Sequence, residues 1–210
     1  MHPSVLIIEG EEGRVNTNVC FTLAGSPGII NRNREGRIMK GLLHIYEGDG
    51  KGKTTAALGL AVRMAGSGGR VLMGQFLKSG DSSELAALRR IPNIRIMENQ
   101  NSFGFTFRMR EEEKRRVKSY YLDFFNKLVK EAAAGDYALL VMDELLDAWN
   151  LDMADRQEVL DFLKNRPDNL EVVLTGRNPD PALASLADYH TRFEKVKHPF
   201  DTGLGARKGI

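Results

Sequence analysis

The chain has 210 residues, 42% of them hydrophobic, which is enough to bury one substantial core. Thirty basic and 28 acidic residues leave a formal charge of +2, and this balance is not typical of a nucleic-acid-binding surface. The single cysteine, Cys20, excludes an internal disulfide and a multi-cysteine metal site. No apolar run approaches the roughly 18 to 20 residues that a spanning helix needs. We therefore expect a soluble, cytoplasmic protein without a membrane or nucleic-acid partner.

The first 38 residues differ from the rest of the chain. After a short apolar run at residues 5–8, the segment is rich in Gly, Asn and Arg and shows little periodicity. We interpret residues 1–38 as an N-terminal extension that carries no chemistry and is either disordered or not native. Met39 stands directly before the first clear strand, so residues 39–210 form the predicted functional domain.

From residue 42 onward, short apolar runs alternate with segments of helical periodicity. Strands are predicted at residues 42–46, 71–76, 94–97, 138–142, 172–175 and, more weakly, 192–196. Helices are predicted at residues 54–65, 83–90, 111–134, 155–165 and 181–187. This alternation is typical of an α/β fold, with a mostly parallel sheet of about six strands flanked by helices.

The longest predicted helix carries an aromatic stripe that we assign to the core and not to a cofactor site. Its apolar side chains recur at a spacing of three and four residues, and Gly135 follows as a stop signal. Asp155 is the predicted N-cap of the next helix. The stripe comprises Val117, Tyr120, Tyr121, Phe124, Phe125, Leu128 and Val129.

A glycine-rich loop between the first strand and the first helix predicts a triphosphate site. Its backbone N–H groups and the helix N-terminus attract an anion, while Lys53 reaches the terminal phosphates and the Thr54 hydroxyl binds Mg²⁺. Glu47 stands where the usual signature has its first glycine, so the loop is a shortened variant. Together with the alternation of strands and helices, the loop predicts a P-loop NTPase-like, RecA-like fold. The predicted ATP-binding residues of the loop are Gly48, Asp49, Gly50, Lys51, Gly52, Lys53, Thr54 and Thr55.

A second motif supports the phosphate loop. The apolar run at residues 139–142 ends in Asp143 and Glu144, and such an acidic strand end holds Mg²⁺ at the carboxyl edge of the sheet in folds of this kind. On its own, the same pattern would equally suit a solvated strand end. Combined with the loop, it favours a role in metal or nucleotide binding.

Five further motifs follow in order along the chain: Gly74-Gln75-Phe76-Leu77-Lys78, Phe105-Thr106-Phe107, Val141-Met142-Asp143-Glu144-Leu145, Thr175-Gly176-Arg177 and Lys197-His198-Pro199-Phe200-Asp201. With these motifs, the chain from about Lys40 to Ile210 resembles the P-loop family of corrinoid adenosyltransferases. The resemblance implies transfer of the 5′-deoxyadenosyl group of ATP to the Co(I) centre of a reduced corrinoid, with release of triphosphate. It also implies Mg²⁺ or Mn²⁺, a flavin-type reductase that supplies electrons, and a homodimer.

The same resemblance assigns roles to individual residues. It implies that Lys53, Thr54 and Glu144 carry the catalysis and that Thr54, Asp143 and Glu144 hold the metal ion. Arg177 lies just past a predicted strand end, where it suits a phosphate or the metal-site carboxylates, and we include it in the ATP-binding set. Phe105 and Phe107 correspond to a Phe-x-Trp pair that packs against the corrinoid in relatives, here with Phe107 in place of Trp.

Two other functions remain open from the residues alone. A P-loop ATPase or phosphotransferase would use the same loop and acidic strand end, with the Phe105 region as ordinary core. A non-catalytic nucleotide-dependent switch would also need the loop. Neither alternative explains the ordered motifs downstream of the loop.

Overall fold

The computed structural model describes residues 40–78, 82–101, 110–205, 207 and 209. The strands are β1 (Leu43–Glu47), β2 (Val71–Gln75), β3 (Ile94–Met97), β4 (Leu139–Asp143), β5 (Glu171–Gly176) and β6 (Tyr189–Arg192). The helices are α1 (Lys53–Gly66), α2 (Ser83–Leu88), α3 (Glu111–Ala134), α4 (Leu145–Asn150), α5 (Arg156–Asn165) and α6 (Pro181–Ala184), and a 3₁₀ turn follows at Pro199–Thr202. Within these described ranges, no helix is long and apolar enough to cross a membrane.

The six strands form one sheet in the order β3-β2-β4-β5-β1-β6, and every strand pairing is parallel. The predicted α/β architecture is therefore confirmed. Every residue of β2 and β4 is buried, which explains why these strands are free of polar side chains up to their last residues, Gln75 and Asp143. The order places the carboxyl ends of β1, β4 and β5 side by side, next to the N-terminus of α1.

Helices cover both faces of the sheet. On one face, Leu43 and Ile45 of β1 belong to the core cluster that includes α3, α4 and α5. On the other face, Val71 and Met73 of β2 pack with the small side chains of α1, Ala57 among them. Alternate residues of β2, β4 and β5 thus supply the two halves of the core.

The aromatic stripe of α3 packs in the core, as its spacing predicts. Its side chains Val117, Tyr121, Phe124, Phe125 and Leu128 are buried. The helix ends at Ala134, immediately before Gly135, and Asp155 caps α5 by accepting hydrogen bonds from the backbone N–H groups of Gln157 and Glu158. These features could be predicted because each signal lies within one continuous stretch of the sequence.

The last strand was predicted too far along the chain. The structure places β6 at Tyr189–Arg192 and not at residues 192–196. β6 is an edge strand beside β1 and its side chains are exposed, so apolar periodicity does not mark it. Val196, whose apolar character favoured the later segment, is 94% exposed.

Helix α4 was not predicted from the sequence, because it is short and begins at a residue with an unusual backbone conformation. Glu144, its N-cap, has a left-handed φ of 62°. The chain therefore turns sharply at the end of β4, and Asp147 in the first turn of α4 comes close to the end of β5. Left-handed backbone at a non-glycine residue is costly and is found mainly at functional sites.

Candidate active site

The phosphate loop is held against the chain segment that follows β6. The N–H group of Gly50 donates to the carbonyl oxygen of Phe193 (2.8 Å), and the N–H group of Phe193 donates to the carbonyl of Glu47 (2.7 Å). Gly48 and Gly52 have φ values of 118° and 123°, a region that side-chain-bearing residues rarely adopt. The loop thus requires glycine for its backbone conformation and for its close approach to Phe193.

Replacing Gly48 with alanine should disrupt this loop. A Cβ atom at Gly48 would lie 2.4 Å from the carbonyl oxygen of Phe193, in addition to the strained φ. We expect a loss of about 2 kcal/mol or more in the free energy of unfolding, together with weaker ATP binding. Urea denaturation and nucleotide titration measure the two effects.

Gly59 provides the matched control for this change. It lies within α1, is exposed, and a Cβ atom there would meet nothing within 4 Å. Gly59→Ala should stabilise the protein by about 0.5–1 kcal/mol, because glycine in a helix interior is unfavourable. Equal effects of the two substitutions would show that the loop has a different conformation.

Lys53, the first residue of α1, turns back over the loop. Its Nζ donates to the carbonyl oxygen of Gly50 (2.9 Å). Partial burial, and next the nearby Arg177 guanidinium, lower the pKa of Lys53, whereas the carboxylate of Asp147 opposes this shift. The ammonium is thus held in a desolvated position where an anionic ligand would be a favourable partner.

Arg177 lines the same pocket as Lys53 and lies just beyond the end of β5. Its Nη1 is 3.5 Å from the Oδ1 atom of Asp147, and its backbone carbonyl accepts a hydrogen bond from the side chain of Asn150 (2.8 Å). Gly176 precedes it with a φ of 146°, which brings the chain past Asp147. Lys53 and Arg177 therefore form two cationic sides of one site.

Asp143, at the end of β4, is the centre of a buried hydrogen-bond network. Its side chain is fully buried, and its Oδ1 atom accepts from the hydroxyl groups of Thr54 (2.8 Å) and Thr175 (2.6 Å). Its Oδ2 atom accepts from the Nε2 atom of Gln75 (3.1 Å) and from the Nζ atom of Lys78 (2.9 Å). Because its two oxygens accept hydrogen bonds from four donors, the Asp143 carboxylate is fixed in place and orients the Thr54 hydroxyl.

Glu144, next to Asp143 in the sequence, lines the pocket. Its side chain is 29% exposed, and its Oε1 atom is 3.2 Å from the Nζ atom of Lys78. Burial raises the pKa of Glu144, and Lys78 opposes this shift. Burial lowers the pKa of Lys78, but the two neighbouring carboxylates outweigh that effect and leave its pKa raised. The three groups are thus electrostatically coupled.

The pocket has a volume of about 680 Å³, within the range of about 300–1,000 Å³ typical of small-molecule sites. Residues 49–55, Glu144 and Arg177 all line it, so the structure brings most of the predicted site residues together. Gly48 lines an adjacent hollow of about 470 Å³, and Asp143 lies beneath the pocket. Phe105 and Phe107 lie outside the described residues.

Sequence reasoning did not assign roles to several residues that meet here. Gln75 is the last residue of β2 and Lys78 follows it, Thr175 is the penultimate residue of β5, and Asp147 belongs to α4. Gln75 and Lys78 belong to one motif and Thr175 to another, but no spacing in the sequence reveals that both motifs converge on Asp143. His198 also lines the pocket, where its Nδ1 atom accepts from the N–H group of Phe200 (3.2 Å) and caps the 3₁₀ turn.

The donor set suits a hard divalent cation. The Thr54 hydroxyl and the Glu144 carboxylate both border the pocket and are oxygen ligands, which Mg²⁺ and Mn²⁺ prefer. Mg²⁺ is commonly bound through one or two protein oxygens together with substrate phosphates. Across the ranges that the structure describes, no group of three or more His, Cys, Asp or Glu side chains is arranged to hold a metal ion.

A parallel sheet, a glycine loop that opens a helix and an acidic strand end beside it define a P-loop nucleotide-binding protein. A profile of the family described as "ATP:corrinoid adenosyltransferase BtuR/CobO/CobP" matches residues 39–210. The chain belongs to this family of corrinoid adenosyltransferases.

Individual relatives agree with the family match. The chain is 32% identical over 177 residues to a corrinoid adenosyltransferase of Pseudomonas aeruginosa, covering 84% of this chain and 86% of that protein. It is 29% identical to a corrinoid adenosyltransferase of Escherichia coli K12, covering 81% and 85% of the two chains. Among solved structures, the cytoplasmic domain of EssC is similar at 17% identity and a TM-score of 0.46, covering 80% of this chain and 34% of that chain. This similarity is too low to support a conclusion about this chain.

Proposed function

We propose that this protein transfers the 5′-deoxyadenosyl group of ATP to the Co(I) centre of a reduced corrinoid, releasing triphosphate, in adenosylcobalamin synthesis or salvage. The observation that supports this most is the placement of Lys53 and Arg177 around one pocket at the end of a glycine loop, in a chain of this family. The loop residues 48–55 and Arg177 are the proposed ATP-binding set.

The chemistry defines what the protein must supply. The nucleophile Co(I) forms a bond to C5′ of ATP, the C5′–O bond breaks, and the triphosphate leaves with the electron pair, so that cobalt becomes formally Co(III). The side chains then have no proton to abstract, and stabilisation of the leaving group supplies most of the rate. Lys53, Arg177 and the backbone N–H groups at the start of α1 provide that stabilisation.

For the metal, Thr54 and Glu144 are the proposed direct ligands. Asp143, which we also predicted as a ligand, acts in this proposal by holding the Thr54 hydroxyl, because its own oxygens already accept four hydrogen bonds. When bound, Mg²⁺ or Mn²⁺ neutralises charge that develops on the triphosphate. The oxygen donors support both ions equally, so the choice between them is a matter for metal-substitution assays.

The corrinoid-binding residues are proposed as Phe105 and Phe107. An apolar wall against the corrinoid would displace its lower axial base and give a four-coordinate cobalt(II) that is easier to reduce. Family membership supports this role, and the replacement of Trp by Phe107 keeps an aromatic surface.

Phe105→Ala should separate reduction from transfer. We expect the rate from cob(II)alamin with a reductant to fall about tenfold more than the rate from chemically pre-reduced cob(I)alamin, because the wall assists reduction. The pre-reduced assay on the same variant is the internal control. Equal losses in the two assays would argue against the proposed role.

The remaining features are proposed from the family alone. A flavin-type reductase supplies the electron, the active protein is a homodimer, and the enzyme works in the cytoplasm. The boundary at Met39 between an extension and the functional domain is supported by the family match, which begins at that residue. Sedimentation analysis of the purified chain tests the dimer, and a monomer at working concentration would reject it.

The transfer reaction itself is tested with ATP, Mg²⁺ and chemically reduced cobalamin. We expect the spectrum of an alkylcobalamin to appear in proportion to the ATP consumed. Nucleotide consumption without a change in the corrinoid spectrum would favour a P-loop ATPase or phosphotransferase instead. A protein that binds ATP but consumes none would favour a nucleotide-dependent switch.

A further inference from the structure

Lys78 occupies an unusual position between two acidic side chains. Its Nζ atom is 2.9 Å from the Oδ2 atom of Asp143 and 3.2 Å from the Oε1 atom of Glu144. The side chain is 28% exposed and also lines the main pocket. The ammonium therefore contacts the buried carboxylate, the pocket-facing carboxylate and the space where a ligand would bind.

The backbone at Lys78 is built to hold this position. Leu77 has a left-handed φ of 53°, and its N–H group donates to the hydroxyl oxygen of Tyr121 (3.2 Å). The N–H group of Lys78 donates to the carbonyl of Phe76 (2.5 Å) in the same tight turn. A non-glycine residue in this conformation persists only when its surroundings fix it, so the turn that directs Lys78 is an imposed feature.

Two adjacent carboxylates repel each other, and a cation between them relieves that repulsion. In the protein without nucleotide, Lys78 supplies that cation. A divalent metal ion that binds Glu144 must compete with Lys78 for the same carboxylate, and the two positive charges repel each other. Metal ions alone should therefore bind weakly.

We propose that Lys78 is an internal counter-ion that makes metal binding depend on nucleotide. The proposal rests on the proposed function, since it assigns Glu144 to the metal and the triphosphate to the pocket. The bound triphosphate offers Lys78 another anionic partner in the same pocket, so that Glu144 becomes available to the metal. Lys78 is thus a positioning residue that couples the two ligands, and such coupling is reciprocal.

The test measures Mn²⁺ binding in the absence of nucleotide, by electron paramagnetic resonance of free Mn²⁺. Lys78→Met and Lys78→Gln should bind Mn²⁺ about tenfold or more tightly than the wild type. Lys78→Arg keeps the charge and should stay close to the wild type. If both neutral variants bind Mn²⁺ no more tightly than the wild type, the proposal is overturned.

Lys118→Met is the matched control for loss of one positive charge. Lys118 lies on α3, where its Nζ atom is 3.2 Å from the Oδ2 atom of the exposed Asp152, away from the pocket. Its replacement should leave Mn²⁺ affinity unchanged. If Lys118→Met gained as much Mn²⁺ affinity as Lys78→Met, the effect would depend on net charge alone and the proposal would be rejected.

Thermal melting gives a second measurement that also reports whether each variant is folded. Mn²⁺ alone should raise the melting temperature of the two neutral Lys78 variants more than that of the wild type. A large Mn²⁺-induced rise in the wild type without nucleotide would overturn the proposal whatever the variants do. The corrinoid assay is independent: normal alkylation with unchanged Mn²⁺ affinities rejects only the role of Lys78.

Discussion

Lys53→Met should lower kcat/KM for adenosyl transfer by about a hundred- to a thousandfold while the protein stays folded. The ammonium of Lys53 lies above the loop, where it donates a hydrogen bond to the carbonyl of Gly50, and in the proposed mechanism it stabilises the triphosphate as it leaves. Because burial lowers the pKa of Lys53, the fold itself disfavours its charge, and methionine should change the free energy of unfolding by no more than about 1 kcal/mol. Steady-state kinetics and urea denaturation measure the two quantities.

Lys51→Met provides the comparison within the same loop. The side chain of Lys51 is exposed, so we expect this residue to act on ATP only through its backbone, and the loss in kcat/KM should be no more than about tenfold. Turnover near the wild-type rate in Lys53→Met, or equal losses in the two variants, would contradict the assignment of Lys53 to the leaving group.

Asp143→Ala should be the most destabilising single change in the site. Its removal leaves two hydroxyl groups, an amide and an ammonium without their shared acceptor in a buried position. Loss of one partner from a buried charged network costs about 3–5 kcal/mol, which is a large part of the total stability of a domain. Urea denaturation of the purified variant measures this loss.

An exposed aspartate serves as the control. Asp123 forms an ion pair with Lys127 (2.7 Å) on the surface of α3, and Asp123→Ala should change stability by no more than about 0.5 kcal/mol. Asp143→Asn keeps the shape of the side chain and should leave enough folded protein for kinetics. We expect that variant to lose activity, because Thr54 is no longer held by a carboxylate. Wild-type activity in Asp143→Asn would show that Thr54 needs no such partner.

The sequence predicted those parts of the fold whose signals are contiguous. The buried strands β2 and β4 are short apolar runs because both faces of a parallel sheet are covered. The phosphate loop and the acidic strand end are likewise single segments, so the types and order of their residues were enough to predict a nucleotide and metal site. Edge strand β6 was misplaced because no buried face marks it.

The convergence on Asp143 could not be predicted from local pattern. Gln75, Lys78, Thr54 and Thr175 come from the ends of β2 and β5 and from the start of α1. They meet because β2 and β5 flank β4 in the sheet, and that order is a property of the whole topology. The same limitation hid the contact between Lys78 and Glu144, although both residues lie within motifs that the sequence shows.

The central claim is that the whole triphosphate leaves and that the bond broken is the one to C5′. ATP labelled with ¹⁸O at the oxygen that bridges C5′ and the α-phosphorus tests this directly, with products followed by ³¹P NMR and mass spectrometry. We predict intact tripolyphosphate that retains the label, formed in equal amount to the alkylated corrinoid. Orthophosphate with ADP, or tripolyphosphate without the label, would contradict attack at C5′.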